Sequence, residues 1–360
     1  MLVYLSVMFL CCILLYAMRN DKKKQRPLAI VFGIIWLMIA LQEGWGGDYE
    51  SYLYFYDSIH DLDFRDVLDN DFHGDIGFHI LLWMMPTYHT WFVVSMGIWC
   101  FGMAFLFYHF VPQKWWFFAI LFVFFDRAIL MGMIASFSRM AIANTFLIFA
   151  MYLVSKEEKK WKSVLLLLGG ALFHKSVLFM APLLFLRPKY IKNTFPTLVG
   201  AFVLLTIFMM VSPSSWISFV DNIITSFDTF SSYEIYLEEQ SKIQFKGITL
   251  IIISYWVYLL ARQTNNNNLN GSEYLVMKMA LVRIAFDLLP AVGMSTRFFY
   301  YIDAYFFAGM MVVLSRLPKN DVNKWILAIS LLIMFWYSGY RPYMMREECI
   351  AIWGTYNFYF

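Results

Sequence analysis

Apolar runs recur along the whole length of this chain, separated by short charged segments, and runs of this kind leave few folds open. About 20 consecutive apolar residues make a helix that crosses the roughly 30 Å hydrocarbon core of a bilayer. A spanning segment must also satisfy its own backbone groups, which a helix does internally. Ten such runs stand out: 1–18, 28–42, 91–111, 116–135, 138–154, 195–212, 247–261, 274–293, 298–315 and 324–340. Hydrophobic residues make up 61% of the 360 residues and charged residues 15%, against roughly 25% charged in soluble domains. The sequence therefore predicts an all-α, polytopic integral membrane protein, one membrane domain over residues 1–360 with about ten spanning helices. Basic residues follow the first run and none precedes it, the reverse of a cleaved leader, so residues 1–18 are expected to stay as a helix. The four cysteines, Cys11, Cys12, Cys100 and Cys349, have neither metal-ligand nor disulfide-framework spacing.

Charge sets the orientation, because Lys and Arg concentrate in cytoplasmic loops. Arg19, Lys22, Lys23, Lys24 and Arg26 follow the first run, which puts the N-terminus outside. The loop at 43–77 carries ten acids and, of the basic residues, only Arg65 besides histidines. It is expected to be external, with short helices of its own. Residues 78–88 are apolar but too short to cross, and Pro86 interrupts them, which predicts a helix lying in the outer interface. The loop at 212–247 and the tail at 341–360 are the other external segments. In this layout 17 of the 28 Lys and Arg lie inside and 17 of the 25 acids outside.

The stretch 163–186 has basic flanks on both sides: Lys156, Lys159, Lys160 and Lys162 before it, Arg187, Lys189 and Lys192 after it. Equal flanks need an even number of crossings. Gly169-Gly170 and Pro182 break the run, and His174-Lys175-Ser176 sits at its centre. The expectation is a re-entrant helical hairpin with that polar triplet at the tip; a single ordinary span is the competing layout.

Several polar groups lie where a bilayer tolerates them poorly. Trp45-Gly46-Gly47-Asp48-Tyr49-Glu50-Ser51-Tyr52 begins the acidic loop. A carboxylate beside tyrosines suits a sugar, whose apolar faces stack on rings while its hydroxyls bond to the acid. A polar turn with an interfacial aromatic belt explains the same residues. Asp126-Arg127 interrupts one apolar run, and Ser138-Arg139 with Asn144 opens the next. Arg283 and Asp287, four apart, share a helix face and are expected to pair. Arg297 precedes Tyr300 and Tyr301, with Asp303 beyond. In the predicted topology Asp48, Arg139, His174 and Arg297 fall near the external side. Three cations and one acid at one depth suit a diphosphate joined to a sugar, since Arg holds phosphate oxygens in a planar fork. Interfacial snorkelling accounts for either arginine equally well. No nucleotide-binding glycine motif and no metal-ligand cluster is present in the sequence, so any substrate must arrive already activated, and neither metal nor cofactor is expected.

Taken in order, Gly47-Asp48-Tyr49 with Tyr52, Asp75-Ile76-Gly77-Phe78, Ser138-Arg139 with Ala141-Ile142-Ala143, Phe173-His174-Lys175-Ser176, and Arg297 with Tyr300 and Tyr301 resemble the EpsG family of bacterial exopolysaccharide and O-antigen repeat-unit polymerases. Asp75-Ile76 stands where that family usually has Glu-Pro. The resemblance implies a glycosyltransferase of the bacterial inner membrane. It would lengthen a glycan, capsule or O-antigen, by moving chains between undecaprenyl-diphosphate-linked repeat units, in company with a chain-length regulator protein and without nucleic acid. On that footing Arg139 and Arg297 would hold diphosphates, and His174 or Asp48 would act as general base. Tyr49, Tyr52, Arg127, Lys175, Ser176, Tyr300 and Tyr301 would line the substrate site. Two other classes fit parts of the sequence. A membrane O-acyltransferase also sets a His near a bilayer groove, and a flippase or exporter would need polar groups along a whole path, whereas here they gather toward one side.

Overall fold

A computed structural model describes residues 2–42, 49–69, 75–126, 129–130, 138–158, 160–185, 247–264, 269–288 and 293–334. These residues are helical with turns between, and no strand occurs among them. The helices are α1 (Leu2–Ala17), α2 (Gln25–Ala40), α3 (Tyr49–His60), α4 (Phe64–Leu68), α5 (Ile76–Trp83), α6 (Tyr88–Phe110), α7 (Trp116–Phe125), α8 (Ser138–Ser155), α9 (Lys160–Ala171), α10 (Gly247–Thr264), α11 (Gly271–Leu288), α12 (Gly293–Arg316) and α13 (Val322–Met334). Two 3₁₀ segments, Gln113–Trp115 and Lys175–Phe185, complete the set.

Among the described residues α6 and α8 are long and apolar enough to cross a bilayer unaided. Helix α6 has 23 residues, a rise of about 35 Å at 1.5 Å per residue. The Thr87 side chain caps it by accepting the Thr90 N–H at 3.1 Å, and Pro112 follows its end. Helices α1, α2 and α13 are apolar but shorter. The expected span 195–212, the loop 212–247 up to Lys246 and the tail 341–360 lie outside the described residues. One expected span is cut short: helix α7 stops at Phe125, and Asp126 takes an extended backbone. The run 116–135 therefore does not continue as one helix.

Packing is continuous along the chain. Helix α1 lies against α2 and α7, α2 against α6, α6 against α8, and α8 against α9. Tyr4 donates to the Phe124 carbonyl, joining α1 to α7. Helices α11 and α12 make the most extensive contact. A Cβ on Gly309 would come within 2.6 Å of the Val276 carbonyl oxygen, so only a glycine allows that approach. Arg283 on α11 pairs with Asp303 on α12. The expected i,i+4 partner, Asp287, has a side chain outside the described set. Around this core, large apolar side chains face outward: Phe9, Ile13, Leu37, Phe101, Leu165, Ile251 and Trp325 are all exposed. A soluble surface does not carry apolar area on this scale, and against lipid it has no cost. With the composition, this identifies a membrane protein.

The basic segments gather at one end. Gln113 Nε2 donates to Asp21 O at 3.0 Å, Lys114 Nζ to Ser315 O at 2.9 Å, and Ser272 Oγ to Ser155 Oγ at 3.2 Å. Arg316 grips both oxygens of Glu273. Lys324, Arg316 and Lys319 crowd Lys114, and burial together with these charges lowers its ammonium pKa from the usual lysine value. At the other end of α2 and α6, His89 Nε2 is 2.9 Å from Ala40 O.

Candidate functional site

The stretch 163–186 is not one helix. Helix α9 has 12 residues, a rise of about 18 Å, which falls short of a hydrocarbon core of about 30 Å. The chain turns at Leu172–His174 and comes back as the 3₁₀ segment Lys175–Phe185, which contains Pro182. The two arms pack on each other. Lys160 Nζ lies 4.6 Å from the centroid of the Phe185 ring, so the return arm ends beside the start of the outgoing one. His174, Lys175 and Ser176 occupy the turn and the start of the return arm.

Helix α5 docks on this turn. Gly77 N–H donates to Leu172 O at 2.7 Å. A Cβ at position 77 would sit 2.8 Å from that same oxygen. Asp75 precedes α5 in the extended backbone of an N-cap, yet its side chain makes no cap bond. Its carboxylate instead reaches the turn, where Oδ2 accepts the Lys175 backbone N–H at 3.3 Å. Oδ1 is 3.6 Å from Lys175 Nζ, with 10% of the Asp75 side chain and 61% of the Lys175 side chain exposed. An ion pair with so wet a partner contributes about 0–1 kcal/mol, so the two backbone contacts do most of the holding. The sequence pattern contained Asp75, but only the fold brings it to His174-Lys175-Ser176.

The turn is fixed on its other side by α12. Ser176 Oγ is 3.0 Å from His174 Nδ1 and 3.0 Å from Tyr301 OH. Ser176 backbone N–H also points at His174 Nδ1, at 3.3 Å. A backbone N–H can only donate, so Nδ1 presents its lone pair and the neutral ring carries its proton on Nε2. An imidazole in this tautomer is a donor at Nε2. The general-base role expected for His174 would have to act through an Nδ1 already held by Ser176.

Arg139, near the start of α8, forms the adjoining wall. Its Nε donates to Tyr52 OH at 3.2 Å. The guanidinium carbon is 5.0 Å from the Phe78 ring centroid and 5.6 Å from that of Tyr52. Tyr52 and Phe78 are buried, and their rings meet edge to face at 5.6 Å. Tyr49 packs edge-on against Tyr88 in the same apolar cluster. Tyr300 O accepts from Asn144 Nδ2 at 3.4 Å, tying α12 to α8.

Tyr52, Asp75, Arg139, His174, Lys175, Ser176 and Tyr301 thus form one connected group drawn from α3, the start of α5, α8, the hairpin turn and α12. Arg297 lies on α12 one turn before Tyr301, its side chain outside the described set. Asp48 and Arg127 are outside the described residues. Asp126 is buried. Among the described residues no group of His, Cys, Asp and Glu is arranged to hold a metal ion. The group offers a planar cation on aromatic rings, an ammonium, an imidazole N–H and a carboxylate. Such a set can bind phosphate oxygens and, next to them, sugar hydroxyls.

No curated protein and no solved structure matches the chain. The family description that matches, over residues 25–346, is that of the EpsG family.

Proposed function

Because the chain belongs to the EpsG family, we propose that it is a polysaccharide polymerase: a glycosyltransferase that joins lipid-diphosphate-linked repeat units into exopolysaccharide, capsule or O-antigen on the outer face of the bacterial inner membrane. About ten crossings, with 163–186 as a re-entrant hairpin, bring the site to that face. The observation that carries this reading is the meeting of Asp75 with Lys175 beside His174 at the hairpin turn, with Arg139 packed on Phe78 of the helix that Asp75 begins. Three groups that favour an anion stand beside one that accepts hydroxyl protons, in a membrane protein of this family.

In the proposed reaction the acceptor sugar hydroxyl attacks the anomeric carbon of the donor glycan, and the bond from that carbon to the lipid diphosphate breaks. The acceptor proton passes to a carboxylate, Asp75 or Asp48, and the electron pair leaves with the diphosphate. Arg139 and Arg297 bind the diphosphate through planar forks. Lys175 adds a point charge, and His174 donates through Nε2–H to the oxygen on which charge develops. Ser176 and Tyr301 keep the imidazole in the tautomer that can do so. Tyr49, Tyr52, Tyr300 and Tyr301 flank the glycan, with Arg127 a further candidate for the diphosphate. Asp75 joins Asp48 as a candidate base in this reading because its carboxylate is at the turn.

The test is the purified protein in liposomes with lipid-linked repeat units and no nucleotide sugar, read as a glycan ladder. A ladder is expected; its absence with folded protein and authentic substrate overturns the reading. Removing one donor to a developing oxyanion costs about 10²–10³ in rate. His174→Ala should lose that much, whereas His174→Gln, whose amide still donates, should keep measurably more. Equal losses in the two would return His174 to the role of base.

A further inference from the structure

We propose a second lipid site, distinct from the glycan site: a slot between α2 and α6 that holds an acyl chain of an anionic phospholipid from the leaflet at the basic end of the bundle. The slot has a volume of about 510 Å³ and is lined by α2 from Gln25 to Trp36 and by α6 from Gly97 to His109. Gly33 faces it, and a Cβ there would meet nothing within 4 Å. Trp36 closes the far end. Its indole N–H donates to Val93 O at 2.9 Å, and Gly97 lets the ring lie so close that a Cβ would be 3.1 Å from its nitrogen.

Length and polarity identify the occupant. Twelve residues separate Gly97 from His109, a rise of about 18 Å, close to one leaflet of a core roughly 30 Å thick. Apart from the indole that closes it, the polar side chains lining the slot, Gln25, Tyr108 and His109, lie at the basic end. The interior is apolar. A slot one leaflet deep, greasy inside and polar at a single mouth, matches an amphiphile that enters tail first. Charge at the mouth selects the head group. Arg26 follows Gln25 in the first turn of α2, and the loop before it carries Arg19, Lys22, Lys23 and Lys24. His109 packs on the Tyr152 ring at 4.2 Å, and Lys156 Nζ lies 5.5 Å from the same ring. The acids at this mouth are outnumbered by these cations: Asp21, which accepts the Lys23 N–H, Glu157, which follows Lys156, and Glu158, which pairs with Lys162. The lipid-linked diphosphate of the proposed reaction would have its head at the opposite end of the bundle, by Arg139 and His174, so it is not this slot's occupant. The inference depends on the membrane setting and not on glycosyl transfer.

The experiment is native mass spectrometry and thermal melting of the detergent-purified protein, with phosphatidylglycerol or phosphatidylcholine of identical acyl chains added. Each Lys or Arg near an anionic membrane surface favours binding by about fivefold. With Arg26 and Lys156 both engaged, phosphatidylglycerol should be retained at least tenfold better and raise the melting temperature more. Gly33→Leu, which fills the slot, should abolish retention of a tightly held lipid while the glycan ladder persists. Lys156→Gln should keep retention but lose about fivefold of the head-group preference. Equal retention of the two lipids, or retention unchanged in Gly33→Leu, means a non-specific lipid annulus and overturns the proposal. Preferential retention of a polyprenyl diphosphate over phosphatidylglycerol at this slot overturns it as well.

Discussion

Substituting Gly77 by alanine tests whether the docking of α5 on the hairpin turn builds the site. The new Cβ would lie 2.8 Å from Leu172 O and 3.0 Å from both the carbonyl carbon and Cβ of that residue. Two of these are backbone atoms, and they cannot swing away as a side-chain tip can. Overpacking of this kind costs about 1–3 kcal/mol. Relief requires α5 to back away, which stretches the Gly77-to-Leu172 bond and forfeits part of its roughly 0.5–1.5 kcal/mol. The better helix propensity of alanine returns up to about 1 kcal/mol, and less at the second residue of a helix. The net expectation is a loss of about 1–3 kcal/mol. The same displacement breaks the Asp75-to-Lys175 contact, which at 3.3 Å has little slack. Melting in detergent should therefore fall and long glycan chains should disappear together. Gly33→Ala is the control, because the same methyl there meets nothing within 4 Å; it should be neutral or slightly stabilising and fully active. Wild-type melting and full-length polymer from Gly77→Ala would refute the idea that this contact positions the carboxylate.

Arg139→Lys keeps the charge but loses the planar fork over Tyr52 and Phe78, and it should abolish long chains at normal protein levels on a membrane blot; full-length polymer would make Arg139 an interfacial anchor. Asp303→Ala breaks the Arg283 pair between α11 and α12 and should cost up to about 5 kcal/mol, read as a lowered melting temperature. The double change Arg283→Met with Asp303→Leu should recover most of it, and failure to recover would show that the pair does more than hold α11 to α12. Single cysteines introduced as Lys159→Cys and Lys189→Cys should both resist a membrane-impermeant thiol reagent applied to intact cells. Labelling of the second alone would mean that 163–186 crosses the membrane once.

Periodicity and charge carried the reader from sequence to helices, because a membrane helix is specified by its own apolar run and its flanks. The tip triplet His174-Lys175-Ser176 was legible because the run is polar only at its centre, although Gly169 and Gly170 lie within α9 and Pro182 within the 3₁₀ segment, not at the turn. Partners were harder to read. Helical spacing pointed from Arg283 to Asp287 only; that Asp303 of the next helix also pairs with Arg283 was not legible, because interhelical register leaves no mark in a single sequence. Asp75 stood in the motif without a role, because what gives it one is a pair of backbone contacts roughly a hundred positions away. The base role expected for His174 rested on its place in a polar triplet at the centre of an apolar run; the Ser176 N–H on its Nδ1 becomes visible only once the turn is folded.

The site draws on positions 52, 75, 139, 174 and 301, so its parts leave the ribosome far apart in time. The loop helices and the hairpin turn are made while α12 is still unsynthesised, and Tyr301 must arrive before Ser176 and His174 are locked. An inserting chain therefore carries no finished reaction centre until nearly all of it is in the bilayer. Premature termination before α12 should yield a fragment without the Ser176–Tyr301 contact, and such a fragment should give no glycan ladder.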